Sequence, residues 1–179
     1  MKKVKMVCAG FGGQGVLSVG QLIAMMAMNK NYLVSWMPSY GPEMRGGTAN
    51  CHVVIDEHDV GSPIISDGIT HLLAMNQPAL NKFLPRVASG GVIVANASMV
   101  KKDESRPDVQ WIMVDFYQIA VEAGNQRTQN MAALGSLVRQ LEGFSESDGF
   151  NIISEKFGDK NPEMVEVNQK AFTLAYRQS

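Results

Sequence analysis

Six residues near the start of the chain, Gly10-Phe11-Gly12-Gly13-Gln14-Gly15, restrict what it can fold into more than any other feature. They follow Val4-Lys5-Met6-Val7-Cys8-Ala9, an apolar run rich enough in β-branched residues to predict a buried strand. They precede residues 16–28, where Leu17, Ile23, Ala24, Met25 and Ala27 predict a helix closed by Asn29-Lys30-Asn31. A strand that turns on glycines straight into a helix opens a βαβ unit, because glycine takes the tight turn and lets the backbone approach a phosphate. Free N–H groups and the positive end of the helix dipole favour an anion there. Two uses of Gly10, Gly12, Gly13, Gln14 and Gly15 stay open at this stage, phosphate contact and close helix–strand packing alone.

A dinucleotide site also needs an acidic residue at the end of the second strand, to hold the ribose hydroxyls. The second strand is predicted over Tyr32-Leu33-Val34-Ser35-Trp36, and its end reads Trp36-Met37-Pro38. The nearest acid is Glu43, so NAD is not expected, and an NADP phosphate would have only Arg45 to meet. Two prolines and three glycines between Met37 and Gly47 predict an irregular loop, too long for a mere connector.

Residues 48–56 alternate as a strand with Ala49, Cys51, Val53 and Ile55 on one face, and Asp56-Glu57-His58-Asp59 reads as a turn. Further strands are predicted at 70–75, at Val92-Ile93-Val94-Ala95 after Gly90-Gly91, and at 109–114. Pro78 opens a helix reaching about Val87, and Asp115 is placed to cap the one that carries Ile119, Ala120 and Val121. From Thr128 the pattern is helical, over 130–141, 147–157 and 162–177, with Gly143 and Gly158-Asp159 as breaks. Strands alternating with helices predict a three-layer α/β/α sandwich with a largely parallel, Rossmann-like sheet and a helical C-terminal layer. The 179 residues fit one domain.

A net charge of -1 and an isoelectric point near 6.3 leave no electrostatic footprint for nucleic acid or an anionic membrane. Hydrophobic residues at 45% against 18% charged leave apolar surface for partners. No apolar stretch reaches the roughly 20 residues of a membrane span, and Lys5 with the early glycines interrupts any signal sequence. A cytoplasmic location is expected. Cys8 and Cys51 stand far apart in apolar runs and form no CxxC pair, so this chain alone cannot supply the four thiolates of an iron–sulfur cubane.

The turn with its continuation, Gly10-Phe11-Gly12-Gly13-Gln14-Gly15-Val16-Leu17, and the block Ser39-Tyr40-Gly41-Pro42-Glu43-Met44-Arg45-Gly46-Gly47 resemble the gamma subunit of 2-oxoacid:ferredoxin oxidoreductases. Gly61-Ser62-Pro63-Ile64, Ala74-Met75-Asn76-Gln77-Pro78-Ala79-Leu80 and Asn130-Met131-Ala132-Ala133-Leu134-Gly135 match the same family in the same order, weakening after Glu142. The wording around Tyr40 to Arg45 is closer to the branch acting on 2-oxoglutarate or branched-chain 2-oxoacids than to the pyruvate branch. The small subunit of indolepyruvate oxidoreductases is a close cousin. The resemblance implies an assembly that converts a 2-oxoacid and coenzyme A into acyl-CoA and carbon dioxide while reducing ferredoxin. Thiamine diphosphate, magnesium and the iron–sulfur clusters would belong to alpha, beta and, in some assemblies, delta subunits. This chain would supply structure and an interface, and would have no turnover alone.

On that reading the loop from Ser39 to Gly47 projects toward the catalytic subunits. Arg45 is then open to two roles, an intersubunit ion pair with Glu43 or contact with coenzyme A, whose phosphates also suit the glycine turn. No catalytic residue and no metal ligand is expected. His52, His58 and His71 lack ligand spacing, Ser18 has no nucleophile elbow, and Lys101-Lys102-Asp103-Glu104 reads as a solvated stretch. The 12 methionines read as adaptable core or interface filling. The competing readings are a stand-alone Rossmann-type nucleotide-binding enzyme and a free-standing ligand sensor or scaffold. Exposed apolar surface would allow a homodimer when the chain is isolated.

Overall fold

Aliphatic and β-branched runs build six strands, which pair in the order β2-β3-β1-β4-β5-β6. They are β1 (Val4–Phe11), β2 (Leu33–Tyr40), β3 (Thr48–Asp56), β4 (Ile69–Ala74), β5 (Val87–Asn96) and β6 (Gln110–Val114). The helices are α1 (Val16–Asn29), α2 (Gln77–Phe83), α3 (Phe116–Ala123), α4 (Gln129–Gln140), α5 (Glu146–Phe157) and α6 (Pro162–Gln178). The computed structural model describes residues 1–40, 47–158 and 162–179, and of Tyr40 only the backbone.

From β1 through β4 and β5 to β6 every pairing is parallel, whereas β3 runs antiparallel to both of its neighbours. The largely parallel sheet and the helices on both faces agree with the expected sandwich. Alternation along each strand divides the core. Met6, Cys8, Ala49, Cys51, Val53, Ile55, Leu73 and Val94 pack with α1, α3, α4, α5 and α6, while Val7, Ala9, Val54, Leu72 and Ile93 pack with Ala79, Leu80 and Phe83 of α2. The C-terminal helices thus form one thick layer on the face that α1 also covers.

Local chemistry fixes the ends. Asn76, Asp115 and Ser145 cap α2, α3 and α5 through their side chains, Ser145 in a reciprocal capping box with Asp148. Within the C-terminal layer, a Cβ at Gly135 of α4 would lie 2.2 Å from the carbonyl oxygen of Phe172 in α6, so only glycine permits this helix contact.

Three expectations need correcting. β2 does not stop at Trp36 but continues through Pro38 to Tyr40, opposite residues 49–56 of β3. It is an edge strand, where a residue without an N–H is tolerated. β5 begins at Val87, and Gly90-Gly91 lie inside it at an irregularity where the register passes from Ile69↔Val87 to His71↔Val92. Most consequentially, β3 lies between β1 and β2, so the strand that follows α1 is one place removed from the position it holds in a simple βαβ unit. Among the described residues no helix is long and apolar enough to cross a membrane.

Candidate functional site

The connection from β1 leads away through α1 to β2 on one side, while β4 pairs with β1 on the other. The C-terminal ends of β1 and β4 therefore border the point where the winding reverses, the place where open α/β sheets hold ligands. A crevice of about 580 Å³ opens there, lined among others by Gly13, Gln14, Gly15, Met75, Arg127 and Asn130, with Met99 and Tyr117 at its rim.

The glycines divide their work. Gly10 belongs to β1, and a Cβ on it would meet Gln14 Oε1 at 2.7 Å and Met75 Cβ at 2.9 Å, so its role is close packing. Gly12 donates its N–H to Gly47 O at 2.9 Å. Gly13 and Gly15 are the two left-handed residues of the turn, with φ of 95° and 74°. A Cβ on Gly15 would also stand 2.7 Å from Asn130 Cβ, which brings the start of α4 against the turn.

Gln14 is the turn's clamp. Its Oε1 accepts from Phe11 N at 2.7 Å and from Asn76 Nδ2 at 2.9 Å, and its Nε2 donates to Met75 O at 3.4 Å. The first helical bond of α1 runs from Val19 N to Gly15 O, and no side chain caps the helix. Among the described residues the N–H groups of Val16, Leu17 and Ser18 therefore have no acceptor, which is an anion-compatible end. Arg127 lines the same crevice, on the short 3-10 turn Gln126–Thr128 that Asn125 fastens by accepting Arg127 N at 3.0 Å.

Arg127 and Asn130 were not singled out from the sequence as site residues. Their signal was modest, a polar run with one cation immediately before a helix, and more than 100 residues separate them from the turn. Of the expected interface loop, Ser39 lies in β2 opposite Asn50, and Gly47 is bonded to the glycine turn as described. Gly41, Pro42, Glu43, Met44, Arg45 and Gly46, with the side chain of Tyr40, lie outside the described residues. Both flanks of that loop come to the sheet end that carries the glycine turn.

The displaced β2 bears directly on dinucleotides. With β3 interposed, the end of β2 stands two strand spacings from β1, about 10 Å, rather than beside it. The missing acid and the topology agree.

Elsewhere the chemistry-bearing residues are dispersed. His52 Nδ1 accepts from Ile65 N at 2.9 Å, His71 contacts Thr70 Oγ1 and Gln140 O, and His58 occupies a turn in which Asp56 accepts its N–H. Lys102 pairs with Glu104 at 3.3 Å. Among the described residues no three His, Cys, Asp or Glu side chains gather as a metal site. Cys8 and Cys51 lie directly opposite one another in β1 and β3, fully buried, and Cys51 Sγ donates to Val16 O at 3.6 Å. Two thiols enclosed between sheet and helix do not fit the ligand set of an iron–sulfur cluster.

Residues 5–178 match the family profile described as pyruvate ferredoxin/flavodoxin oxidoreductase. Over 173 residues the chain is 39% identical to a ketoisovalerate oxidoreductase subunit of Methanothermobacter marburgensis, covering 94% of this chain and 35% of that subunit. The chain thus spans about a third of that relative's length. The gamma subunit of keto/oxoacid ferredoxin oxidoreductase from Geobacter sulfurreducens superposes with a TM-score of 0.82 at 25% identity, covering 98% of this chain and 97% of that one. A 2-oxoglutarate:ferredoxin oxidoreductase from Magnetococcus marinus, solved with 2-oxoglutarate, coenzyme A and succinyl-CoA bound, gives 0.89 at 26% identity, covering 99% of this chain and 31% of that one.

Proposed function

The chain belongs to the pyruvate ferredoxin/flavodoxin oxidoreductase family, and from that premise we propose that it is the gamma-type subunit of an assembly that oxidatively decarboxylates a 2-oxoacid. Coenzyme A takes up the acyl group, carbon dioxide leaves, and ferredoxin receives the electrons. The substrate is a branched-chain 2-oxoacid or 2-oxoglutarate, a reading favoured by the likeness to the ketoisovalerate subunit and to the 2-oxoglutarate enzyme. Thiamine diphosphate with magnesium, and the iron–sulfur clusters, reside in the alpha, beta and, where present, delta subunits and supply the decarboxylation and electron transfer. The two enclosed thiols of this chain accord with that division.

This chain's own part is to hold coenzyme A by its phosphates. The observation that carries this reading is the meeting of the uncapped N-terminus of α1 with Arg127 at the winding reversal. The N–H groups of Gly13, Gly15 and residues 16–18 offer donors to phosphate oxygens, and the planar guanidinium adds a two-pronged contact. Tyr117 and Met99, 46% and 47% exposed, give the rim apolar surface for the uncharged parts of the ligand. The loop carrying Glu43 and Arg45 springs from the same sheet end, which suits docking onto the catalytic subunits.

The test is anoxic isolation of the tagged chain from its native host, identification of co-purifying proteins, and assay of coenzyme A-dependent oxidation of several 2-oxoacids. Recovery of thiamine-binding and cluster-bearing partners with activity supports the reading, and recovery of the chain alone without activity overturns it. Coenzyme A titration of the assembly should weaken with Arg127→Ala. Unchanged affinity would remove Arg127 from the site.

A further inference from the structure

We propose that Cys8 and Cys51 form a cross-strand dithiol that hydroperoxides oxidise to a disulfide, a reversible switch lying beneath the first turn of α1. The inference does not depend on the assignment of coenzyme A.

Sheet geometry carries it. The two residues are exact partners in the antiparallel β1–β3 register and project to the same helix-covered face. Directly opposed residues of an antiparallel pair have Cα atoms about 4.5–5.5 Å apart, inside the roughly 4.4–6.8 Å span that a disulfide bridges. The Cα separation of such a pair therefore permits a bond between them.

The surroundings have been shaped to the sulfur. A Cβ on Gly20 would lie 2.4 Å from Cys51 Sγ, so glycine at this point of α1 leaves the hollow in which the thiol sits. The indole Nε1 of Trp36 stands 3.3 Å from the same position, buried and without a hydrogen-bond partner. Hydrogen bonding to Cys8 lowers the pKa of Cys51 against the opposing effect of burial, and Cys51 together with burial raises that of Cys8. Cys51, the thiol in contact with the first turn of α1 where the oxidant enters, is the attacking one and Cys8 the resolving one.

The steps balance. Cys51 gives up its proton, and its sulfur attacks one oxygen of hydrogen peroxide. The O–O bond breaks, one water leaves, and Cys51 becomes a sulfenic acid. The sulfur of Cys8 then attacks the sulfur of Cys51, the S–S bond forms as the S–O bond breaks, and the departing hydroxide takes the proton of Cys8 to leave as the second water. Two electrons pass from the thiols to the peroxide.

The consequence falls on the helix that begins at the glycine turn. Cys51 donates to the carbonyl of Val16, the first residue of α1, and a disulfide has no proton to give. Both thiols are fully enclosed, so the oxidant gains entry when this uncapped end opens, and oxidation is slower than at an exposed thiol.

The experiment treats the full-length chain with hydrogen peroxide, follows circular dichroism, then denatures and alkylates it and maps the peptides. Expected are a peptide linking Cys8 to Cys51, loss of the mass of two hydrogen atoms, reversal by dithiothreitol, unchanged secondary structure, and faster amide exchange across residues 16–20. In Cys8→Ala, dimedone should trap a sulfenic acid on Cys51. Two thiols still fully alkylated in the treated wild-type chain, or a link that appears only as secondary structure is lost, would overturn the proposal, and the wild-type map decides even where the variant does not fold.

Discussion

Asn76 Nδ2 donates to Gln14 Oε1 at 2.9 Å, so the residue that caps α2 at the end of β4 also locks the turn that follows β1. Asn76 is 1% exposed. Replacing Gln14 with Leu leaves this buried amide and the Phe11 N–H without their acceptor, which should cost about 1–3 kcal/mol of stability. Gln14→Glu supplies an acceptor to both donors while placing a negative charge beside the anion-compatible helix end. Urea unfolding should therefore cost Leu the most and Glu less, since Glu keeps an acceptor for both donors but sets a carboxylate oxygen against Met75 O, whereas coenzyme A titration should weaken for both. Equal coenzyme A affinity for Glu and wild type would mean that no anion sits at the turn.

The same clamp marks how far the sequence could be read. Short-range signals were legible, namely the strand–glycine–helix run at Gly10 to Gly15, the alternation of Ala49, Cys51, Val53 and Ile55, and the cap at Asp115. Each depends on residues a few positions apart. The insertion of β3 between β1 and β2 rests on pairings such as Met6↔Val53, which no local pattern announces. Pro38 was read as a strand end because proline cannot donate, yet an edge strand relaxes that condition. At the site, the turn was visible and Arg127 was not, since folding alone carries the segment before α4 to the end of β1.

A close backbone approach in the helical layer yields a second prediction. Both atoms nearest a Cβ on Gly135 belong to the backbone of Phe172, its carbonyl oxygen at 2.2 Å and its carbonyl carbon at 3.0 Å. Gly135→Ala must therefore separate α4 from α6, with a cost of about 3 kcal/mol by chemical denaturation. At Gly149 the obstacle is the ring of Phe172, with Cζ at 2.1 Å, and a ring can turn. Gly149→Ala should destabilise less. The reverse order would show that α6 shifts more readily than its rings.

Asn31 ends α1 in the left-handed region, with φ of 63°. Its N–H bonds to Met28 O at 2.9 Å, and that of Tyr32 bonds to Ala27 O at 3.1 Å, the two-bond closure that glycine usually provides. Asn31→Ala should lose about 1 kcal/mol through the Cβ–carbonyl clash of that conformation, while Asn31→Gly should match or exceed wild type. Thermal unfolding of the three proteins at one pH tests the order, and an unperturbed Ala variant would contradict it.

Two histidines give the fold an acid sensitivity well above the carboxylate range. Burial lowers His52, with Arg86 and Lys82 acting in the same direction, and burial also lowers His71 against the opposing carbonyl of Gln140. His52 must stay neutral at Nδ1 to accept the Ile65 N–H. Above the ordinary histidine value of 6.5 both states are neutral and stability is flat. As pH falls below 6.5 the unfolded chain binds protons that the folded chain resists, so stability declines until the lower folded values are reached. The urea midpoint should therefore drop between about pH 7.5 and about pH 5.5. His71→Asn removes one of the two titrating groups and should flatten that decline, whatever it does to stability at the upper pH. A decline of unchanged steepness in His71→Asn would assign the sensitivity to His52 and its bond to Ile65.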